Sequence, residues 1–251
     1  NILLVMLLLY LIYFYEKDNR IMYLIFLILS LFVKEDVFIY TCIFAIYAIF
    51  DKKLDYGIYT LAISILYFVC VSYLLSSLGE GVMSQRFSNL IINDQGLIGI
   101  IRTILVNPGY FLSQLVESEK TFEKLKYFLL IFLTLGFVPF FTKKYKNYIL
   151  LLPIIINLMT NYPYNYDITF HYSFGICVFA FYVFILNLQD LKFQFLPVCI
   201  VSSALVFTSF VCPTVKKYFD NYYNNEYVYN SADKFLKENI PKNASVIAST
   251  M

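Results

Sequence analysis

The sequence predicts an all-α integral membrane protein with about eight short-to-full transmembrane helices, an outer loop of interfacial helices and the start of a small extracytoplasmic domain at the C-terminus. Hydrophobic residues make up 60% of the 251-residue chain, and charged residues make up only 14%. A soluble domain carries about 25% charged residues. Several apolar runs approach or exceed the roughly 18 residues that mark a membrane-spanning helix. A chain so poor in charge is expected to present its surface to lipid.

Eight apolar segments alternate with shorter polar connections. They cover residues 2–15, 21–33, 37–50, 56–78, 127–142, 148–160, 172–188 and 193–211. We therefore assign residues 1–212 to a multi-pass transmembrane domain and residues 213–251 to an extracytoplasmic segment. The first segment lacks the basic n-region and the cleavage site of a signal peptide. Because it begins inside an apolar run, we expect the chain to be a piece of a longer protein, truncated at its N-terminus.

The polar connections alternate in charge. EKDNR, DKKLD, TKKYKN and QDLK together hold eight Lys or Arg residues, whereas the intervening KED and NYPYNYD hold one lysine. The positive-inside rule places the first set in the cytoplasm and the second set outside. This orientation in the cell membrane makes the long loop 79–126 and the C-terminal tail extracytoplasmic.

Residues 21–50 allow two interpretations. One continuous helix would be about 45 Å long, against a hydrocarbon core of about 30 Å. It would also place three charges near the middle of the membrane, at about 2.5–3.5 kcal/mol each. A hairpin has arms of only about 20 Å, but it moves the charges into a turn. Only the hairpin preserves the charge alternation, so we expect a turn at Lys34, Glu35 and Asp36 near the outer surface.

The outer loop and the tail are predicted to contain short helices. GLIGIIRTIL and GYFLSQLVE space apolar residues at helical intervals, which is typical of helices lying in the membrane interface. Asn107 should separate these two helices, since a residue before proline avoids helical angles. In the tail, Ser231 and Asp233 precede an apolar pair, which predicts a short capped helix that ends near Asn239. SVIAS, close to the C-terminus, could open a strand.

Two polar clusters fall on the predicted outer side. One is the turn Lys34-Glu35-Asp36, and the other is the bend at residues 162–172, which holds the only histidine of the chain, His171. Ionisable groups at membrane depth are costly to keep there, so they are candidates for function. Glu35, Asp36 and His171 could act as a general base, hold an acceptor hydroxyl or ligate a divalent metal. Arg86 could bind a lipid phosphate or a substrate phosphate, or cap an interfacial helix.

Each candidate also has a structural interpretation. Lys34 can simply pair with its acidic neighbours at a helix end. Tyr164 and Tyr172 can stack on a sugar ring or belong to the aromatic belt that forms at any membrane interface. His171 can be a structural histidine at the start of a helix. Asp167 lies in the same bend, and we group it with these residues as a candidate for substrate binding.

The composition argues against two kinds of binding site. A net charge of +2, with no basic stripe among aromatic residues, argues against nucleic acid as a partner. The five cysteines are scattered without CxxC or Cys/His spacing, which gives no cysteine metal site. No cofactor is indicated beyond a divalent metal at the acidic residues.

Five stretches resemble a known family in their order and spacing: FVKEDVFIY, SQRF, LGFVPF, LLPIIINLMTNYPYNYDITFHYSF and IPKNASVIAS. The family is the domain-of-unknown-function family number two thousand and seventy-nine, which contains predicted bacterial and archaeal membrane proteins. The resemblance spans roughly residues 21–249. That family is distantly similar to GT-C glycosyltransferases, multi-spanning enzymes that use polyprenyl-phosphate sugars, so the resemblance implies a GT-C-like fold.

The resemblance also implies a reaction, which is sugar transfer from a polyprenyl-phosphate donor to a glycan or lipid acceptor at the outer membrane face. Arg86 or Lys34 would offset charge on the leaving lipid phosphate. Glu35, Asp36 and His171 would hold the acceptor, or a divalent metal if one is used. The catalytic aspartate of GT-C enzymes follows their first spanning helix, and we expect that loop upstream of Asn1.

The alternatives are a transporter, a lipid-binding protein and a membrane anchor. Transporters often place ionisable residues near the membrane midplane, in broken helices of paired repeats. In this chain the polar clusters fall on one predicted face, and no internal repeat is evident. The residues alone therefore leave an enzyme and a non-enzymatic membrane protein both open.

Overall fold

The computed structural model describes residues 2–78, 86–91, 96–115, 120–188, 195–206, 234–235 and 237–239. Within these ranges all regular secondary structure is helical, which confirms the all-α prediction. The contacts divide the chain into two units, Asn1–Ser203 and Ala204–Met251. In the second unit the described residues 234–235 and 237–239 are helical, where the sequence predicts a short helix. The strand expected at SVIAS lies outside the described residues.

The first unit begins with four consecutive helices. These are α1 (Ile2–Glu16), α2 (Arg20–Leu31), α3 (Val37–Phe50) and α4 (Leu54–Leu78). The turn before α2 and the turn before α4 contain Asp18 and Lys52 with φ angles of 55° and 65°, in the left-handed region that tight turns use. The Asn19 side chain also caps α2, because its oxygen accepts a hydrogen bond of 3.2 Å from the Met22 N–H.

A turn separates α2 from α3, so the hairpin prediction is confirmed. Tyr23, in the first turn of α2, has its ring 6.4 Å from the ring of Phe44, in the second half of α3. This contact shows that the two helices run antiparallel. The three charges of the turn therefore lie at the tip of the hairpin.

Six further α-helices follow between Gly96 and Val206 in the described part of the chain. They are α5 (Gly96–Val106), α6 (Pro108–Ser113), α7 (Thr121–Thr134), α8 (Leu152–Met159), α9 (Phe174–Leu188) and α10 (Phe195–Val206). The break between α5 and α6 falls at Asn107, as predicted, and the Asn107 side chain accepts a hydrogen bond of 3.1 Å from the Tyr110 N–H. The sequence therefore determines both helices of this loop and the boundary between them.

Two apolar segments are less regular than the sequence suggests. The segment 127–142 is α-helical only to Thr134, because Gly136 and Phe137 adopt φ angles of 56° and 55°, and a short 3-10 helix, Val138–Phe140, follows. A side chain at Gly136 would meet the Sγ atom of Cys199, 2.9 Å from an ideal Cβ. The segment 148–160 begins within a 3-10 helix, Tyr145–Leu151, before α8 continues it.

The core of the first unit is aromatic, while much of its outer surface is apolar. Tyr15, Tyr23 and Phe179 are at most 1% exposed. In contrast, Ile21 and Phe32 are 74% and 75% exposed. Large apolar side chains pointing outward over many helices are typical of a surface in contact with lipid.

Two helical stretches are long and apolar enough to cross a membrane, Leu54–Leu74 and His171–Leu188. Five apolar helical stretches of the described chain are shorter: Ile2–Glu16, Arg20–Leu31, Val37–Phe50, Tyr145–Met159 and Leu196–Val206. Turns separate the first three of these stretches from one another, and the fourth begins with 3-10 geometry. An arrangement with about eight crossings therefore stays a prediction.

Candidate functional site

The polar connections of the first unit gather into two groups. In one group, the Tyr15 hydroxyl donates to Asp51 Oδ2 at 2.6 Å, Lys53 Nζ donates to the Tyr15 carbonyl at 2.7 Å, and Lys146 pairs with Asp51. These contacts join the end of α1 to two of the connections rich in lysine. We call this group the basic end. The second group, which we call the charged cluster, consists of Lys34, Glu35, Asp36, Arg86, His171 and Tyr172.

Asp36 is the centre of the charged cluster. Its Oδ2 atom accepts a hydrogen bond of 2.8 Å from Lys34 Nζ and one of 2.9 Å from Arg86 Nη1. Arg86 Nη2 also donates to Glu35 Oε1 at 3.3 Å. The side chains of Arg86 and Asp36 are only 3% and 12% exposed. Two cations and two carboxylates thus neutralise each other in a largely buried place.

The aromatic part of the cluster lies against both cations. Lys34 Nζ is 4.0 Å and Arg86 Cζ is 4.8 Å from the centre of the Tyr172 ring, within the range of cation–π attraction. Lys34 Nζ is also 3.5 Å from His171 Nε2, and the His171 ring lies 4.3 Å from that of Tyr172. An ammonium can donate to His171 only if Nε2 carries no proton.

The acidic residues are placed by the start of α3. Asp36 is the N-cap residue of this helix, and its carbonyl accepts the Ile39 N–H at 3.1 Å. The helix dipole favours a carboxylate at this end. Because its side chain makes no capping hydrogen bond, the Asp36 carboxylate is available to Lys34 and Arg86.

Arg86 is held in place from the end of α8. The Thr160 hydroxyl donates to the Arg86 carbonyl. Three residues further along, Asn89 Nδ2 donates to the Met159 carbonyl and to Gln114 Oε1, both at 2.9 Å. The short segment 86–91 is therefore fastened at both of its ends, which fixes the position of the guanidinium group.

Two residues that the sequence analysis did not select hold the bend. Asn157 Nδ2 donates to the Asn165 carbonyl at 2.9 Å and to the Tyr172 carbonyl at 3.3 Å. The Tyr40 hydroxyl donates to the same Tyr172 carbonyl at 3.1 Å. An ideal Cβ at Gly175 would lie 2.6 Å from the Tyr40 ring, so only glycine allows this approach. The signal for Asn157 is its position as a lone amide in an apolar run.

Asp167 and Tyr164 have partners outside the cluster. Asp167 Oδ1 accepts hydrogen bonds from the Thr169 backbone N–H at 2.9 Å and from the Thr169 hydroxyl at 2.7 Å. This pattern is typical of an aspartate that stabilises a local turn. The Tyr164 ring lies 4.3 Å from that of Phe170 and is 42% exposed. Their assignment to substrate binding stays a prediction.

Burial lowers the pKa of two lysines, Lys34 in the charged cluster and Lys124 in α7. It lowers the pKa of Lys34, while the nearby Asp36 carboxylate acts in the opposite direction. It lowers the pKa of Lys124 to about 8. Lys124 is 3% exposed, and its Nζ donates to the Gln114 carbonyl at 2.8 Å.

In the ranges that the structure describes, no group of three or more His, Cys, Asp or Glu side chains could hold a metal ion. The charged cluster is organised by contacts between its cations and carboxylates.

The helices, the apolar surface and the charged cluster together describe a helical membrane protein with a buried polar site among its helix ends. The chain belongs to the family described as Predicted membrane protein (DUF2079), whose model matches residues 2–251. This match confirms the family resemblance read from the sequence. Searches of curated proteins and of solved structures found no match.

Proposed function

We propose that this protein is a membrane glycosyltransferase of the GT-C type, which transfers a sugar from a polyprenyl-phosphate donor at the outer face of the cell membrane. The observation that carries the proposal is the convergence of Lys34, Glu35, Asp36, Arg86 and His171 from three separate segments of the chain. The distant similarity of the family to GT-C enzymes supplies the reaction.

The free energy needed to bury the charged cluster supports a role for it beyond folding. Removing ions from water costs several kcal/mol per ion, and a buried ion pair is often no more stabilising than apolar residues of the same volume. Four charged side chains, of which Arg86 is 3% and Asp36 is 12% exposed, therefore need another reason to be there. Recognition of a charged ligand would be such a reason.

The cations suit the phosphate of the donor. Lys34 is 17% exposed at its side chain, so its ammonium is the more accessible of the two positive charges. Arg86 lies behind it and is already engaged by two carboxylates. We assign Lys34 to direct contact with the lipid phosphate and Arg86 to holding Asp36 and Glu35 in place, with its charge assisting the departure of the phosphate.

Glu35 and His171 suit the acceptor. Glu35 is the more exposed of the two acidic side chains of the cluster, at 27%, and it accepts a hydrogen bond of 3.3 Å from Arg86. An acceptor hydroxyl can donate to this carboxylate, while His171 takes or gives a proton nearby. The proposal gives a divalent metal no ligand set of its own.

The proposed topology follows from the charge alternation. The chain crosses the membrane about eight times, with the basic end in the cytoplasm. The charged cluster, the loop 79–126 and the tail then lie on the outer side. The helices shorter than a full span fit this topology if they pack among longer neighbours.

The test is sugar transfer by membranes that contain the protein. These membranes are incubated with a panel of radiolabelled polyprenyl-phosphate sugars, and label is followed into glycan and lipid fractions. We expect transfer that Lys34→Ala and Glu35→Gln reduce at least tenfold, since one positioned charge in such a site is worth about 2.7–4 kcal/mol. Glu123→Gln, at an exposed position of α7, is the control and should leave transfer unchanged. Absence of transfer with every donor would sink the proposal.

Lipid binding without catalysis is the second candidate, and one observation favours it. An apolar cavity of about 340 Å³ lies between α1, α7 and α9, lined among others by Leu9, Ile131, Val178 and Phe181. Its size is that of a small-molecule site. If the purified protein carries a lipid through purification but shows no transfer, the non-enzymatic reading replaces the enzymatic one.

A further inference from the structure

A second, much smaller cavity lies beneath the charged cluster. Its polar lining comes from Asp36, Tyr40, Arg86, Asn157, Asn165 and Tyr172. Its volume is about 20 Å³. The cavity is thus enclosed by the start of α3, the fixed segment 86–91, α8 and the bend.

Among the described residues that line it, two carry a side-chain atom without a hydrogen-bond partner. These are Arg86 Nε and Asn165 Oδ1, and both are buried. Arg86 is 3% and Asn165 is 1% exposed. A buried polar group without a partner costs about 1–3 kcal/mol, and more when it is charged. Such atoms in a native protein call for a ligand that satisfies them.

The two atoms need hydrogen-bond partners of opposite kinds. Arg86 Nε carries a hydrogen and needs an acceptor, whereas Asn165 Oδ1 is an acceptor and needs a donor. A phosphate or carboxylate oxygen would satisfy Arg86 but would repel Asn165. An ammonium group would satisfy Asn165 but would repel Arg86. A hydroxyl-type oxygen, which both accepts and donates, satisfies both.

The volume decides which molecule can supply this oxygen. A buried water needs a cavity of roughly 10–15 Å³ and two to four polar partners. The cavity of about 20 Å³ meets this requirement, and it is too small for a phosphate or a sugar ring. Asp36, on the same wall, offers a further acceptor for the second hydrogen of the water.

We propose that one water molecule is bound in this cavity, accepting from Arg86 Nε and donating to Asn165 Oδ1. With it, each kind of nitrogen in the Arg86 guanidinium has a partner, because Nη1 and Nη2 already donate to Asp36 and Glu35. The water also links the segment that carries Arg86 to the bend that carries His171 and Tyr172. This inference is independent of the proposed sugar transfer.

The test is an experimental structure of the purified protein, in detergent or in a lipid nanodisc, at a resolution that shows ordered waters. We expect one isolated density peak within hydrogen-bonding distance of both Arg86 Nε and Asn165 Oδ1. An empty cavity, a direct hydrogen bond between these two atoms, or density too large for a single oxygen overturns the inference.

Two leucine variants extend the test. Asn165→Leu removes the acceptor, so the density peak should disappear and the Tm of the purified protein should fall. Asn161→Leu is the control, since Asn161 is exposed and both of its hydrogen bonds use the backbone. Its N–H donates to Asn89 Oδ1 at 3.4 Å, and its carbonyl accepts from the Tyr166 hydroxyl at 3.4 Å. If the peak persists in Asn165→Leu, the assigned hydrogen bond is wrong. The peak in the native protein decides the matter even where the variant fails to fold.

Discussion

The basic end and the charged cluster both place charged side chains in the connections between apolar helices. At the starts of α2 and α4, next to the connections that form the basic end, Arg20 and Asp55 form an ion pair of 2.8 Å with side chains that are 62% and 55% exposed. In the charged cluster, Arg86 and Asp36 form one of 2.9 Å with side chains that are 3% and 12% exposed. The Arg20–Asp55 pair is therefore well solvated, whereas the Arg86–Asp36 pair is almost completely buried.

The contrast shows that connecting these helices does not require buried charge. An exposed ion pair is worth about 0–1 kcal/mol and costs little to form. A buried one repays its desolvation only when its geometry is good and further hydrogen bonds complete it. In the charged cluster Glu35 accepts a further hydrogen bond from Arg86, and the Tyr172 ring lies against both cations.

The largest effect is expected when the charged cluster loses a cation. Arg86→Ala leaves Asp36 with Lys34 alone and leaves Glu35 without its ion-pair partner. Breaking a buried pair in this way costs about 3–5 kcal/mol. We expect a loss of this size in the free energy of unfolding, measured by SDS titration in mixed micelles. A loss below 1 kcal/mol would mean that water reaches the cluster more freely than its burial indicates.

A steric substitution near the basic end should have an intermediate effect. An ideal Cβ at Gly57 of α4 would lie 2.4 Å from Ile49 Cγ1 and 2.9 Å from the Ala45 carbonyl oxygen of α3. Gly57→Ala must separate these helices, and overpacking of this kind costs about 1–3 kcal/mol. The same unfolding titration measures it. The matched control is Gly109→Ala in α6, where the nearest atom is 3.8 Å away and stability should not fall.

A smaller effect is expected from pH. Burial lowers the pKa of Lys124 to about 8 in the folded protein, against about 10.4 in an unfolded chain. Between these values the unfolded chain binds more protons, so stability rises with pH. We expect the Tm of the purified protein to increase from pH 7 to pH 9.5, and part of this increase to be absent in Lys124→Met. Equal pH profiles in the two proteins would show that the ammonium is solvated.

The smallest effect is expected at the exposed pair. Arg20→Ala removes the partner of Asp55 in a well-solvated position, where such pairs contribute about 0–1 kcal/mol. Stability should change little, and addition of salt should remove the difference between variant and native protein. If Arg20→Ala lowered the free energy of unfolding as much as Arg86→Ala does, the exposed and the buried ion pair would contribute equally to stability.

The sequence predicts the features of this site that follow from helix length and from the free energy of transferring charge into a membrane. A helix through Lys34, Glu35 and Asp36 would be too long and too charged, so the turn and its position follow from length and transfer energy alone. The break at Asn107 follows from proline geometry. Arg86 and His171 were selected because charged and titratable groups are rare in this chain, and the structure brings both to the turn.

The contacts that depend on tertiary packing could not be predicted. Asn157 donates to carbonyl groups 8 and 15 residues away, and nothing local specifies such partners. The early end of α7 depends on the positive φ of two successive residues, Gly136 and Phe137, of which only glycine gives a local signal. Lys124 was not selected because a lysine near a helix start is ordinarily solvated, and its burial depends on the segment that carries Gln114.

The shortness of the hairpin has a consequence for the bilayer around it. α2 and α3 contain 12 and 14 residues, so they are about 18 and 21 Å long, and Phe32 at the tip is 75% exposed. If the hairpin meets lipid directly, the hydrocarbon layer of about 30 Å must become thinner beside it, at a cost that grows with each ångström of mismatch. Lipid headgroups would then be drawn inward on that flank, toward Lys34. The protein would accumulate in thin membranes, and lipids would reach the cluster from the side.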